Sequence, residues 1–352
     1  MIKYYTRACN FYYGNISKKK VKKKIALPLC GNKEISFDHL EIFTKNNKKI
    51  SSKIINIEKI KFLPKLVKSK INIDIKNITS KRLFLNKKNN ILMGILNMTP
   101  DSFSDGGKFN TNKKAFNRIS EMINSGADII DIGGESTRPG SHIVSPNKEW
   151  KRVANVLKNF KKKFPKTLIS IDSRKSLVIQ NAIESNVNII NDVSCFKFDK
   201  QTSKIIRNKN LWKVIHHMQG TPQTMQINPK YHHVLLDIYD FFEREIAKLK
   251  EDRHSHKIIL DPGIGFGKNL KHNLMILNKI SIFHSLGFPV LIGTSRKKFI
   301  NQISKNFDTR ERLGGTLSSV LFSLSQGIQI FRVHNVKEIK QGILVFENLL
   351  NK

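Results

Sequence analysis

The stretch ILMGILNMTP, residues 91–100, is an unbroken apolar run that ends abruptly in polar residues. Six consecutive apolar residues with no alternation describe a strand buried on both faces, the usual setting of a parallel sheet. Working outward, the pattern recurs in DIIDIG (128–133), TLISID (167–172), VNIIND (187–192), KVIHHM (213–218), KIILDP (257–262), PVLIG (289–293) and IQIFRV (328–333). Segments of helical length lie between them, such as AFNRISEMINSG (115–126) and ERLGGTLSSVLFSLSQG (311–327). Several of these end in glycine just before the next run, a common helix stop. Eight strand–helix repeats over about 260 residues predict a closed (β/α)8 TIM barrel at residues 89–352. A doubly wound open sheet is the structural alternative.

Upstream of the barrel the composition changes. Residues 1–88 are lysine-rich, with Gly14 and Gly31 as their only glycines. The alternation Ile71-Asn72-Ile73-Asp74-Ile75-Lys76 predicts a half-buried strand there. The expectation is a small strand-containing N-terminal extension without a catalytic constellation of its own.

The chain has 352 residues and is 39% hydrophobic, enough for a packed core. No apolar run approaches the roughly 18 residues needed to span a bilayer, and the N-terminus lacks a secretory h-region. Cys9, Cys30 and Cys195 are odd in number and lack CxxC spacing, which fits a reducing cytoplasm. The net charge of +36 raises nucleic acid as a partner. Only 13 of the 63 basic residues are arginine, and the excess of lysine comes with abundant Asn and Ile, as AT-rich coding produces. The runs Lys18–Lys20, Lys22–Lys24 and Lys161–Lys163 carry no interleaved aromatic platforms. They read as solvated faces, and the expected partners are small molecules, without nucleic acid or membrane.

In a (β/α)8 barrel, reactive groups collect at the C-terminal ends of the strands. Here those ends read Asn97 through Gly107, Gly133 through Gly140, Asp172, Asn191-Asp192, His216-His217, Asp261-Pro262-Gly263, Ser295-Arg296-Lys297 and Arg332-Val333-His334. Asp, Asn and Gly after a strand are ordinary turn formers when taken alone; all eight ends being polar together is the signal. The histidine pairs 216–217 and 232–233, with His254 and His256, have no carboxylate or cysteine at zinc-ligand spacing and read as structural. On period-2 geometry only one of His216 and His217 faces the interior. Asp172, Asp261, Asn191 and Lys297 suit a flat heterocycle with adjacent donors, such as a pterin. Arg332, His334 and Asn97 suit a pyrophosphate and its magnesium, with Asn97 as a neutral oxygen ligand.

The segments ILMGILNMTPDSFSDGG (91–107) and GADIIDIGGESTRPG (126–140) resemble dihydropteroate synthases in order and spacing. So do the later IIND, HHMQGTP, ILDPGIGFGKN, LIGTSRK and FRVH elements. The resemblance spans Ile91 to the C-terminus. It implies condensation of 6-hydroxymethyl-7,8-dihydropterin diphosphate with p-aminobenzoate, releasing pyrophosphate, by a magnesium-dependent and sulfonamide-sensitive family. It implies Asn97 as the magnesium ligand and Thr137 and Arg138 as loop residues for pyrophosphate and amine. Asp172, Asn191, Asp261 and Lys297 become the pterin grip, and Arg332 and His334 the anion pocket. Phe103 and Pro139 become the p-aminobenzoate and sulfonamide wall, and Phe266, Gly293 and Ser295 further substrate contacts. A homodimer is the expected assembly. Ser173, Arg174, Thr221, Lys298 and Asn335 depart from the family's usual residues.

Two rivals remain. A methyltetrahydrofolate–corrinoid methyltransferase shares the pterin grip but lacks the DSFSDGG and STRPG loops. A nucleic-acid-binding or structural paralogue would have no use for the matched polar set.

Overall fold

The computed structural model describes residues 2–82, 84, 90–99, 108–136, 143–305 and 308–350. The apolar runs form eight parallel strands: β5 (Ile91–Asn97), β6 (Ile129–Gly133), β7 (Leu168–Asp172), β8 (Ile189–Asp192), β9 (Trp212–His216), β10 (Ile258–Asp261), β11 (Leu291–Ile292) and β12 (Ile330–Val333). They hydrogen-bond in the order β10-β9-β8-β7-β6-β5-β12-β11. A parallel bridge between Leu260 and Val290 joins the two ends of that order, and the Leu260 N–H donates to the Pro289 carbonyl. The sheet therefore closes into a barrel, which disposes of the open-sheet alternative.

Helices return the chain between strands: α3 (Lys108–Asn124), α4 (Pro146–Lys163), α5 (Ser176–Glu184), α6 (Lys200–Ile206), α7 (Val234–Lys248), α8 (Leu270–Asn278), α9 (Lys298–Ser304), α10 (Leu313–Leu324) and α11 (Val336–Leu350). On α4, the Ser145 side chain accepts from the Lys148 N–H, Pro146 opens the first turn, and Val153, Val156, Leu157 and Phe160 make the buried stripe. That stripe meets the outward-facing residues Ile130, Ile132, Ile169 and Ile171 in one continuous core.

The N-terminal residues build an antiparallel sheet of β1 (Ile2–Tyr13), β2 (Leu27–Leu29), β3 (Asn32–Asn46) and β4 (Lys49–Asn56), with helices α1 (Gly14–Lys22) and α2 (Lys65–Thr79). The predicted strand at 71–76 is instead part of α2. Pro64 starts the helix, and Val67, Ile71, Asp74 and Ile78 are buried at helical spacing, while Ile73 is exposed. This wider 3.6-residue stripe overrides the local I-x-I-x-I alternation.

This unit is fastened to the barrel. Tyr5 and Phe43 belong to the same core as the barrel helices, and Tyr5 packs edge-on against Tyr239 with ring centroids 5.1 Å apart. Glu41 is almost wholly buried and accepts from Arg7 at 2.7 Å and Lys279 at 2.5 Å. Asp240 takes Lys3, Tyr5 and Lys45. The Arg82 guanidinium donates to the carbonyls of Asn77, Ser80 and His284.

Candidate active site

Side chains alternate along a strand, so the inward-facing residues follow by twos. Ile91, Met93, Ile129, Leu168, Ile189, Val214, Ile259, Leu291 and Ile330 pack across the lower barrel interior, with Phe84 and Trp212 meeting edge-to-face beneath them at 4.5 Å. Two or four residues further along those same strands stand Asn97, Asp131, Asp172, Asn191, His216, Asp261, Gly293 and Arg332. Apolar packing thus fills the bottom of the barrel and polar groups fill the top. A cavity of about 790 Å³ opens there, lined among others by Asn97, Asp172, Phe266, Gly293, Ser295, Lys297, Arg332 and His334. Asn191 is buried in register beside Asp172, and Asp261 beside His216.

Arg332 joins the two halves of this site. Its Nε donates to Asp131 Oδ2 at 2.6 Å and its Nη2 to Asp172 Oδ2 at 2.6 Å. Asn191 Nδ2 donates to the same Asp131 oxygen at 3.1 Å. Burial pushes the Asp172 carboxyl up to about 7; Arg332 opposes that rise and the neighbouring Asp131 adds to it.

Asp261 closes β10, and its Oδ1 accepts the Gly263 N–H at 2.7 Å. Burial pushes it up to about 6, against the pull of that N–H and of Lys297. The following loop lies hard against the end of β9. Gly263 has φ +67°, and a Cβ there would sit 2.0 Å from the His217 carbonyl oxygen. Lys268 fastens the loop from beneath, its Nζ donating to the Phe266 carbonyl at 2.8 Å and meeting His217 Nδ1 at 3.0 Å. Burial holds that lysine well below its ordinary range. Phe266 is thereby presented edge-on to His216, at 4.7 Å, and Lys297 Nζ lies 3.9 Å over its ring.

His216 is the histidine that faces inward. Its Nδ1 meets the Val193 carbonyl at 3.2 Å, and burial keeps the ring neutral. His217 packs outside against Phe241. Ser295 accepts the His334 N–H at 3.2 Å, and its hydroxyl lies 2.9 Å from His334 Nδ1. With Ser295 donating to Nδ1, a neutral His334 carries its proton on Nε2, as an anion donor. Phe103, Thr137, Arg138 and Pro139 lie outside the described residues. Among the described residues no trio of His, Cys, Asp or Glu could hold a metal. Asn97 on the cavity wall fits an Mg²⁺ that takes one protein oxygen and completes its shell with substrate phosphate and water.

A family model described as pterin binding enzyme matches residues 93–334. The chain is 41% identical over 261 residues to the dihydropteroate synthase of Escherichia coli K12, covering 74% of this chain and 92% of that protein. It is 40% identical over 267 residues to the Bacillus subtilis enzyme, covering 76% and 90%. This chain belongs to the dihydropteroate synthase family. Among solved structures, the Yersinia pestis dihydropteroate synthase in complex with a sulfonamide drug superposes with a TM-score of 0.68 at 37% identity, over 75% of this chain and 95% of that one. The Xanthomonas albilineans synthase with 4-aminobenzoic acid gives 0.69 at 30% identity, over 75% and 93%.

Within this family frame, four features of the site go beyond what the sequence pattern reveals. Asp131 shares the parity of Ile129 and Gly133, so its inward direction is available in DIIDIG once the strand is placed. For His216 parity offers an inward position but no role. Lys268 reads in the sequence only as the end of a glycine-rich loop. Glu135, buried at the base of the second loop, accepts from Val144 N–H, Arg174 Nε and Lys175 Nζ, and Lys175 also pairs with Glu149. The departure at Arg174 therefore belongs to a buried ionic brace that ties Glu135 to Val144, and Ser173 hydrogen-bonds to Glu149 in the same cluster. Asn335 accepts from Arg296 at 2.8 Å.

Proposed function

We propose that this chain joins 6-hydroxymethyl-7,8-dihydropterin diphosphate to p-aminobenzoate, forming 7,8-dihydropteroate and releasing pyrophosphate. The observation that carries the reading is that, among the described residues, buried acceptors (Asp172, Asp261, Asn191) sit at the same end of the barrel as the anion donors Arg332 and His334. Acceptors in pairs suit the adjacent N–H and NH₂ of a pterin edge, and the donors suit the diphosphate. Relatives support the substrates: dihydropteroate synthases have been solved in the presence of pteroic acid and in complex with 7,8-dihydropteroate and 4-aminobenzoate.

In this reading Asp261 and Asp172 hold the pterin as ionised acceptors, and Lys297 moves from the Phe266 face to the heterocycle. The amine nitrogen of p-aminobenzoate attacks the exocyclic methylene carbon. The carbon–oxygen bond to the diphosphate breaks, and the amine loses a proton. Arg332 and the His334 Nε2 proton stabilise the charge that collects on the departing oxygens. Mg²⁺ held by Asn97 and the phosphates would supply further charge neutralisation there. No protein nucleophile is required. The family resemblance assigns Thr137, Arg138, Phe103 and Pro139 to the amine and the diphosphate.

The test is a coupled pyrophosphate-release assay with both substrates and magnesium. Release that needs both substrates is expected; methyl transfer to cobalamin without pyrophosphate release would place the chain with the corrinoid enzymes instead. No helix among the described residues is long and apolar enough to cross a membrane. Cys9, Cys30 and Cys195 are free and buried, which fits the cytoplasm we propose. Exposed Phe322 on α10 and Leu344 and Val345 on α11 fit the homodimer we propose. Light scattering at twice the chain mass would bear that out, and a monomer would refute it.

A further inference from the structure

We infer that Asp131 is the positioning residue that sets, from one oxygen, both the acceptor offered to the pterin and the donor offered to the leaving diphosphate. The inference rests on the function proposed above and adds to it a residue that makes no substrate contact of its own.

Asp131 is completely buried, two residues up β6 from the apolar floor residue Ile129. Its Oδ2 receives two hydrogen bonds that lead to opposite halves of the site, from Asn191 Nδ2 at 3.1 Å and from Arg332 Nε at 2.6 Å. An ionised carboxylate only accepts. Asn191 must therefore turn its NH₂ toward Asp131 and its carbonyl oxygen away. That Asn191 Oδ1 is buried and has no hydrogen-bond partner among the described residues. A buried, unpartnered acceptor is costly unless a ligand satisfies it, so the amide is poised for a donor. Asp131 thus fixes the polarity of Asn191: it can take a heterocycle N–H and would oppose a ring acceptor.

The second leg acts on Arg332. The fork of its guanidinium is shared between Asp131 and Asp172. Asp172 is one of the carboxylates that would accept from the pterin, so a bound heterocycle competes for the oxygen that holds Nη2. Asp131 is completely buried, and in this proposal it keeps its grip on Nε when the pterin binds. A planar guanidinium held at Nε has its orientation fixed and its outer nitrogens directed along a set path. Arg332 consequently stays aimed at the diphosphate when the pterin claims Asp172. Binding of one ligand thus leaves the donor for the other in place.

Asp131→Asn is nearly isosteric, but its amide can face Asn191 or Arg332 with either an oxygen or an NH₂. Calorimetry on the full chain would measure two affinities separately, for a non-phosphorylated pterin and for pyrophosphate with magnesium. Asn191→Ala and Arg332→Lys serve as one-legged comparisons. We expect Asp131→Asn to weaken both ligands at least tenfold. Asn191→Ala should weaken chiefly the pterin, and Arg332→Lys chiefly pyrophosphate. Melting temperatures report folding separately. If Asp131→Asn does not fold, Asp131→Ser, which leaves a hydroxyl and space for a water, is read in the same way. A folded variant that binds both ligands within twofold of the parent overturns the inference, as does one that loses affinity for only one of them. A parent chain that binds neither ligand sinks the proposed function instead, so the two failures are distinguishable.

Discussion

Replacing Asp261 with asparagine should weaken the enzyme's hold on pterin and at the same time make the empty protein more stable. The two effects come from the same burial. The folded protein raises this carboxyl from its ordinary 3.8 to about 6. A rise of that size corresponds to roughly 3 kcal/mol spent on keeping the group ionised well above pH 6. The sign follows from proton linkage: the folded state holds the proton more tightly than the unfolded one. Its contribution to stability is therefore full below about pH 4 and lost as pH rises through 6. Asparagine retains an oxygen for the Gly263 N–H but carries no charge to desolvate. The variant should gain about 2–3 kcal/mol at pH 8, several degrees in melting temperature, and nothing at pH 4. Binding moves the other way. A charged hydrogen bond contributes about 1.5–3 kcal/mol, so replacing the carboxylate by a neutral amide should cost pterin affinity at least tenfold at pH 8. Differential scanning calorimetry at pH 4 and 8, with pterin titrations at pH 8, reads both signs. Unchanged pterin affinity would make Asp261 a turn residue. A variant less stable than the parent at pH 8 would show that the carboxylate holds the loop and does not wait for a ligand.

Other expectations follow from the same geometry. Gly263→Ala forces a side chain into a left-handed backbone position against the His217 carbonyl, and should cost about 3 kcal/mol in chemical denaturation; a loss under about 1 kcal/mol would mean the loop gives way freely. Glu41→Ala leaves Arg7 and Lys279 without their shared partner, and should cost about 2 kcal/mol with kcat unaltered in the pyrophosphate assay. Deleting residues 1–82 should lower solubility and melting temperature, because Tyr5 and Phe43 complete the core around Tyr239 and Phe242; any soluble fragment should still release pyrophosphate. Chelating magnesium should abolish pyrophosphate release while leaving binding of the non-phosphorylated pterin unchanged, and a chelated enzyme at full rate would refute the magnesium assignment.

The barrel is readable because parallel strands leave an unusual trace. Runs such as TLISID and VNIIND are apolar on both faces, and no solvent-facing strand or surface helix looks like that. The polar ends of those runs then give most of the site, because strand direction and barrel closure leave them nowhere else to go. Asp131 is hidden for a local reason. It sits inside a run, not at its end, and only the pairing register separates it from the outward-facing Ile130 and Ile132. Lys268 and Glu135 are hidden for a tertiary one. Their partners are carbonyls, a ring nitrogen and cations up to 51 residues away, and no spacing rule connects them. The segment Ile71–Lys76 misleads because six residues fit two periods equally well, and the stripe that decides between them begins at Val67.

The apolar floor has a kinetic consequence. Phe84 and Trp212 pack beneath the lower layer and the cavity lies at the upper rim, so ligands of that cavity come and go from the upper end, in a queue. A heterocycle that docks against Asp261 and Asn191 lies deepest and must enter before anything that sits nearer the rim. The product, built across both levels, must back out whole by the same door before the next heterocycle can descend. An excess of the outer substrate or of a rim-bound drug then traps whatever lies below it. Slow escape from a blind well, and not the chemical step, would set the ceiling on turnover in such an enzyme.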